Sequence, residues 1–241
     1  MHLYGPDLAR VQAEAFGEIA ERASPALVAL LRASTVTVRR VYDLGCGAGV
    51  TTAALVAAGF DTTGVDRSPD LLAFARQRAP RATFVNASLY EIALAPCEAV
   101  LAIGEVLTYH PLDVDADARV RAFLEAAARA IVPGGRLVFD LIDADGPSLD
   151  AKSFRHEPSW TLLWETREDR DAARLTRTVD TFVRESDGRY RHVRETHAVK
   201  LFRERQTCEW LAGAGFDVVT SRAYGDAPLA PRRVAYVATR R

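Results

Sequence analysis

The stretch Val41-Tyr42-Asp43-Leu44-Gly45-Cys46-Gly47-Ala48-Gly49 decides the fold of this chain. The short apolar run Arg40–Leu44 stops at a glycine, which is typical of a buried strand, and Val50–Ala58 supplies the helix that follows. Glycine lets the backbone turn sharply and approach a ligand closely. The first turn of a helix also leaves backbone N–H groups unpaired. The stretch therefore predicts a strand, a glycine loop and a helix that together bind a nucleotide-type cofactor.

The alternation of strand and helix continues on the C-terminal side of this loop. Further strands are predicted at residues 61–65, 83–85, 99–103 and 136–141, further helices at residues 68–78 and 117–130, and a tight turn at Pro133-Gly134-Gly135. Alternation over about 100 residues indicates parallel strands with right-handed crossovers and helices on both faces. On the N-terminal side, residues 11–31 have helical spacing and predict one or two helices, the second beginning at Ser24-Pro25.

The pattern changes after the fifth predicted strand. Residues 161–167, 175–184 and 189–201 alternate apolar and polar side chains, and Asp187-Gly188 is a strong hairpin signal. A helix at residues 206–212 and strands at 217–220 and 234–239 then resume the α/β series. About forty residues of alternating sequence bury little core alone, so this region is interpreted as an antiparallel insertion.

Two classes of cofactor compete for the glycine loop. A dinucleotide site needs Gly-x-Gly-x-x-Gly, whereas this loop has Gly-x-Gly-x-Gly. Asp43 precedes the loop and would repel a pyrophosphate, but it suits a ligand with a cationic ammonium group. Asp66 ends the second strand about twenty residues further on, where a carboxylate can accept hydrogen bonds from both ribose hydroxyls.

These motifs resemble those of the class I S-adenosylmethionine-dependent methyltransferases. The resemblance rests on Asp43–Gly49, on Gly64-Val65-Asp66 and on Pro133-Gly134-Gly135, in this order. It covers residues 37–142 and, more loosely, residues 203–240. It implies a doubly wound, Rossmann-like seven-stranded sheet of strand order 3-2-1-4-5-7-6 with an antiparallel last strand and an antiparallel β insertion after strand 5.

The resemblance also implies a division of the chain and a set of cofactor contacts. One domain, 1–241, would comprise a helical cap (1–36), a cofactor-binding core (37–150), the antiparallel insertion (155–202) and the C-terminal part of the core (203–241). Ser88 stands where the family often has an acid for the adenine amino group. The residues expected to bind S-adenosylmethionine, and the product S-adenosylhomocysteine, are Asp43, Gly45, Cys46, Gly47, Gly49, Asp66, Arg67, Ser88, Leu89, Gly104 and Tyr4.

Residues that follow the fourth strand, together with the insertion, are candidates for catalysis and acceptor binding. Ligands of doubly wound sheets bind outside the carboxyl ends of the strands. Glu105 and His110 are therefore candidate bases, although Tyr109-His110-Pro111 is also compatible with a surface turn. Tyr109, His197 and Trp164 are candidate acceptor contacts; the alternatives are a solvated sheet face for His197 and the core for Trp164. No metal site is predicted.

The composition favours a small-molecule acceptor. The chain has 241 residues and a formal charge of −1, so no basic surplus indicates nucleic acid, and no apolar run has the ~18–20 residues of a membrane span. Three dispersed cysteines and the lack of a signal pattern predict a cytoplasmic protein. A monomer or a homodimer is expected. The expected function is methyl transfer to N or O of a small molecule. The alternatives are a non-catalytic S-adenosylmethionine-binding regulator or partner and, less favoured, an NAD(P)-dependent oxidoreductase.

Overall fold

The computed structural model describes residues 4–241, and strands and helices alternate in it as far as residue 142. The helices are α1 (Pro6–Ala15), α2 (Glu18–Arg32), α3 (Val50–Ala57), α4 (Pro69–Arg78), α5 (Ala116–Ala130) and α6 (Glu204–Gly213). The strands are β1 (Arg40–Leu44), β2 (Asp61–Asp66), β3 (Thr83–Asn86), β4 (Cys97–Ala102), β5 (Ile131–Ile142), β6 (Ala151–Glu157), β7 (Trp160–Asp169), β8 (Arg174–Arg184), β9 (Tyr190–Lys200), β10 (Phe216–Ser221), β11 (Ala223–Tyr224), β12 (Ala227–Pro228) and β13 (Arg233–Arg240).

A seven-stranded sheet of order β10-β13-β5-β4-β1-β2-β3 forms the centre of the molecule. Its strands are parallel except β13, which runs antiparallel to both β5 and β10. The predicted fold class, strand order and antiparallel last strand are therefore confirmed. The order reverses between β1 and β4, so the loops that follow these two strands diverge and leave a crevice at the carboxyl edge of the sheet.

Helices cover both faces of this sheet. On one face α5 and α6 pack against a core that includes Phe139 and Tyr236, whose rings stack with centroids 4.8 Å apart. On the other face α2 packs through Leu27 and Leu31 against β1, β4 and β13. The core thereby holds the strand ends rigidly, and the loops at the carboxyl edge start from fixed positions.

The insertion is an antiparallel sheet of order β6-β7-β8-β9, here called the lid sheet (residues 151–200). The predicted hairpin at Asp187-Gly188 joins β8 to β9, where Glu185 N–H donates to the Arg189 carbonyl at 2.8 Å. Strand β6 escaped prediction because its side chains are mostly exposed and lack a buried period-two face. The small β11–β12 ribbon was not predicted either.

Two local predictions are wrong. Pro25 lies inside α2 and does not begin a helix, because the buried side chains Ala23 and Leu27 continue one helical face through it. Residues 133–135 lie within β5, where the pairing with β4 shifts register, and so do not form a separate turn. A Cβ on Gly135 would lie 2.5 Å from the Glu98 carbonyl, so the glycine permits close approach of the two strands. Among the helices of residues 4–241, none has the length and apolarity needed to cross a membrane.

Candidate active site

A cavity of about 610 Å³ lies at the carboxyl edge of the seven-stranded sheet. The loops after β1, β2, β3 and β4 form its floor, α1 borders one side, and the lid sheet forms its roof. Three alternate residues of β7 and three of β8 line it, because strand side chains alternate between faces. These roof residues are Leu162, Trp164, Thr166, Leu175, Arg177 and Val179.

The three loop glycines have positive φ angles but different surroundings. A Cβ on Gly45 would collide with Val106, and a Cβ on Gly49 would lie 2.9 Å from Ala75 of α4. A Cβ on Gly47 would meet nothing within 4 Å, and Gly47 lines the cavity at φ +53°. Gly47 therefore leaves room for a ligand against the backbone. Gly49, predicted to contact the cofactor, instead packs against α4 outside the cavity wall.

Asp43 and Asp66 both border the cavity, as the sequence predicts. Asp43 is 2% exposed and accepts a 2.5 Å hydrogen bond from the Thr52 hydroxyl; burial raises its pKa to about 7. Asp66 accepts hydrogen bonds from the Gly47 and Ser68 N–H groups, both at 2.9 Å, and burial raises its pKa as well. Each carboxylate oxygen has two acceptor positions, so Asp66 retains capacity for ligand hydroxyls.

The remaining predicted cofactor residues also reach the cavity, namely Gly45, Cys46, Arg67, Ser88, Leu89, Gly104 and Tyr4. Cys46 is two residues from the strand end, and burial raises the pKa of its thiol, which disfavours a nucleophilic thiolate. Ser88 is buried, and its hydroxyl accepts a hydrogen bond from the Tyr90 N–H at 3.3 Å. The loop after β3 thus offers backbone groups and the Ser88 hydroxyl at the position expected for adenine. It provides no second carboxylate there in addition to Asp66.

Tyr4 joins the glycine-loop side of the cavity to the lid sheet. Its carbonyl accepts a hydrogen bond from the Ser68 hydroxyl at 2.8 Å, and its N–H donates to Glu195 of β9 at 2.8 Å. Glu195 also accepts from Gly5 N–H and lies 3.0 Å from His197 Nε2. Glu195 does not itself line the cavity, and its contact with the N-terminal segment forms only in the folded chain, which brings β9 next to Tyr4.

The turn after β4 holds Glu105 in a strained conformation. Glu105 has φ +58°, a region that costs a residue with a side chain about 1–2 kcal/mol. The buried Asp140 carboxylate stabilises this turn by accepting from the N–H groups of Gly104 and Glu105, both at 2.8 Å. Tyr224 donates to the same carboxylate at 2.9 Å, while burial raises the pKa of Asp140 to about 6. Strain of this kind collects at functional sites, and here it aims Glu105 into the cavity.

Two arginines converge on Glu105. Its Oε1 lies 3.3 Å from Arg177 of β8 and 2.8 Å from Arg233 of β13, while its Oε2 is buried without a hydrogen-bond partner among residues 4–241. Arg177 also donates to the Tyr109 hydroxyl at 2.9 Å. Neither arginine was predicted, because nothing in the local sequence of either strand distinguishes it from the chain's many other arginines.

The predicted acceptor residues Tyr109, His197 and Trp164 all line the cavity, but His110 does not. The His110 ring is 4% exposed and turned into the core, where Nε2 lies 2.8 Å from the Leu107 carbonyl and 3.2 Å from the Tyr90 hydroxyl. Burial lowers the pKa of His110 to about 4. The expectation that His110 acts as a base is therefore corrected, because its ring faces away from the cavity.

Comparisons with known proteins agree with this arrangement. Residues 41–135 match the family model described as a methyltransferase domain. A trans-aconitate 2-methyltransferase from Methylobacterium nodulans is 34% identical over 125 residues, which are 51% of this chain and 46% of that protein. The chain thus matches about half of the length of this relative.

Two solved structures are similar over nearly the whole chain. An S-adenosylmethionine-dependent methyltransferase from Clostridium acetobutylicum has a TM-score of 0.80 at 15% identity and covers 96% of this chain and 97% of its own. A sugar N-methyltransferase from a Streptoalloteichus species has a TM-score of 0.74 at 23% identity, with coverages of 100% and 97%. At these identities the similarity establishes the fold.

The sheet order and the cavity at the switch between β1 and β4 define a cofactor-binding α/β protein. The match to the methyltransferase-domain model over residues 41–135 includes the glycine loop, so this part of the chain is similar to S-adenosylmethionine-dependent methyltransferases.

Proposed function

We propose that this protein transfers a methyl group from S-adenosylmethionine to a nitrogen or oxygen of a small-molecule acceptor. The observation that carries the proposal is the roofed cavity, which the glycine loop borders on one side and Glu105 and the lid sheet on the other. A volume of about 610 Å³ lies within the range of ligand sites for small molecules. The lid sheet covers one side of this cavity, which favours a small acceptor over a polymer.

The residues on the β1–β3 side fit the cofactor. The open space beside Gly47 admits the part of S-adenosylmethionine that contacts the loop backbone. The Asp66 carboxylate has acceptor positions left for ribose hydroxyls. Asp43 provides negative charge near the loop for a cationic ammonium group. When bound, S-adenosylmethionine supplies an electrophilic methyl group on a sulfonium ion.

Glu105 is the proposed proton acceptor. Its unpartnered Oε2 is buried at the edge of the cavity and can accept the proton of an acceptor N–H or O–H group. Bound S-adenosylmethionine would supply the methyl carbon to the acceptor lone pair, with S-adenosylhomocysteine as the leaving group, and Glu105 Oε2 would hold the proton released by the acceptor. Orientation within the closed cavity contributes the other part of the rate enhancement, because reactants held in contact lose little further entropy.

We also propose that residues 1–241 act as one domain, since the lid sheet and the N-terminal segment provide walls of the same cavity.

Trans-aconitate 2-methyltransferases and a sugar N-methyltransferase are among the similar proteins, and both names indicate small acceptors.

Isothermal titration with S-adenosylhomocysteine tests the cofactor, with NADH as the negative control. We expect micromolar binding of S-adenosylhomocysteine only, and a large loss of affinity in Asp66→Ala. A matched control is Asp61→Ala, which removes an exposed carboxylate at the other end of β2. Binding of NADH in place of S-adenosylhomocysteine would revive the oxidoreductase alternative and contradict the proposal. A protein that binds S-adenosylhomocysteine but methylates no member of a broad acceptor panel would match the non-catalytic alternative.

A further inference from the structure

The acceptor side of the cavity contains a pair of guanidinium groups held on one carboxylate oxygen. Arg177 reaches down from the lid sheet and Arg233 reaches across from the first position of β13, and both meet Glu105 Oε1. Arg233 pairs in register with Ile142 at the carboxyl end of β5. Because β13 is antiparallel, its first residue lies at the same sheet edge as the last residues of the parallel strands. The two arginines therefore come together only in the folded chain.

Most of the hydrogen-bonding capacity of this pair is unused. Each guanidinium carries five N–H groups and no acceptor. Within residues 4–241, Arg177 and Arg233 form three hydrogen bonds to protein acceptors, two to Glu105 Oε1 and one to the Tyr109 hydroxyl. Both side chains are largely buried, with exposures of 19% and 24%, and both line the cavity. Their remaining N–H groups are thus available to a ligand in a partly desolvated space.

The charges around the pair do not fill these positions. Glu105 shares one oxygen between the two guanidiniums, and its other oxygen has no hydrogen-bond partner in the part of the chain that the structure describes. Asp140 accepts at Oδ1 from Gly104 N–H and Tyr224 and at Oδ2 from Glu105 N–H, and among residues 4–241 it forms no hydrogen bond to either arginine. His197 on the lid sheet pairs with Glu195. Two positive groups therefore face the cavity with a single shared carboxylate oxygen between them.

The pair also lies on the half of the sheet opposite to the proposed ribose contact. Asp66 and Ser88 follow β2 and β3, whereas Glu105 follows β4 and Arg233 begins β13, on the other side of the switch between β1 and β4. Leu175, two residues before Arg177 on β8, and Ile142, the register partner of Arg233, are apolar residues that line the cavity beside the pair. A ligand group at the arginines would thus belong to the acceptor, and an aliphatic body would fit beside it.

We propose, resting on the proposed function, that the acceptor is a small organic acid whose carboxylate binds between Arg177 and Arg233. A guanidinium presents its N–H groups in a planar fork that matches the two oxygens of a carboxylate. The acid also places its own N–H or O–H nucleophile within reach of Glu105 Oε2. The acceptor specificity of this enzyme is therefore a preference for organic acids over neutral molecules of the same shape.

The test measures binding of matched acids and amides to protein saturated with S-adenosylhomocysteine. The probes are succinate and glutarate with succinamide and glutaramide as neutral counterparts, titrated calorimetrically at constant ionic strength. Both acids should bind and both amides should not. Arg177→Gln and Arg233→Gln should each weaken acid binding about tenfold or more, since each removes charge-assisted hydrogen bonds. Arg194→Gln is the matched control, because Arg194 is exposed on the outer face of the same lid sheet and pairs with Asp180.

The outcomes separate this inference from the proposed function. If S-adenosylhomocysteine binds but neither acid does, or if the amides bind as well as the acids, the organic-acid preference is wrong and the cofactor assignment stands. If the arginine variants lose S-adenosylhomocysteine affinity as much as acid affinity, the pair serves the cofactor and the inference is overturned. If S-adenosylhomocysteine itself does not bind to the wild type, the proposed function fails first. A thermal unfolding curve of each variant establishes that it is folded.

Discussion

Replacing Asp43 by Asn should stabilise the cofactor-free protein and weaken its binding of cofactor. Asp43 is 2% exposed and has the Thr52 hydroxyl as a donor, and burial raises its pKa from 3.8 to about 7. In the unfolded chain the carboxyl group ionises near its ordinary pKa of about 3.9. Between these values the folded protein retains a proton that the unfolded chain has released. The free energy of unfolding therefore falls as the pH rises from about 4 to about 7.

The size of this effect follows from the two pKa values. A difference of about three pKa units corresponds, at about 1.4 kcal/mol per unit, to about 4 kcal/mol once both states are ionised. Asn resembles the protonated carboxyl group and keeps an oxygen that accepts from Thr52. The free energy of unfolding of Asp43→Asn minus that of the wild type should therefore increase by about 2–3 kcal/mol between pH 5 and pH 8.

Urea unfolding of both proteins at pH 5, 6, 7 and 8, without cofactor, measures this difference. Asp61→Asn is the control, because Asp61 is an exposed carboxylate at the start of β2, and its difference from the wild type should not change with pH. A pH-independent difference for Asp43→Asn would refute the burial argument. In the same preparations, Asp43→Asn should bind S-adenosylhomocysteine more weakly than the wild type, because the ammonium group loses a negative partner.

Further changes separate residues that hold the fold from residues that face the ligand. Gly49→Ala should lower stability by about 2–4 kcal/mol in thermal or urea unfolding, because a residue with a Cβ is strained at the positive φ of this position and the Cβ would collide with Ala75 of α4. Gly47→Ala should cost only about 1 kcal/mol of strain but should abolish measurable S-adenosylhomocysteine binding. If Gly47→Ala and Gly49→Ala weakened binding equally, the assignment of Gly47 to the ligand and of Gly49 to helix packing would be wrong. Glu168→Gln should lower stability by about 3 kcal/mol, because it leaves the buried Arg232 guanidinium, 2.8 Å away and 3% exposed, without its charged partner; an unchanged urea midpoint would disprove this. His110→Gln should leave the pH dependence of methyl transfer between pH 6 and 8 unchanged. As the pH falls from about 6.5 to about 4, the wild type should lose stability faster than the variant, because the folded protein resists protonation of the His110 ring. If the pH dependence on one side of the activity profile disappeared in that variant, His110 would again be a candidate base.

Much of the cofactor half of the site could be predicted from the sequence. The loop at residues 45–49 lies directly between β1 and α3, and Asp66 directly ends β2, so chain neighbours determine where these groups lie. Local sequence was a weaker guide to packing. Gly49 follows Gly47 at the same two-residue interval that separates Gly47 from Gly45, yet Gly49 faces α4. His110 follows β4 closely in sequence, yet its ring turns into the core. Sequence distance to a strand end does not determine which way a side chain points.

The acceptor half could not be predicted in this way. Arg177, Arg233 and Asp140 come from three different strands, and their meeting with Glu105 depends on the lid sheet folding back over β5 and on the reversed direction of β13. Long-range contacts of this kind leave no local pattern. The sequence by itself determined the class of fold and the cofactor loop, because hydrophobic periodicity and glycine spacing act over short distances along the chain, and the strand order followed from the resemblance to a known family. Only the tertiary structure decided which charges face the acceptor and which histidine is excluded, because those depend on elements that are far apart in sequence and packed together in space.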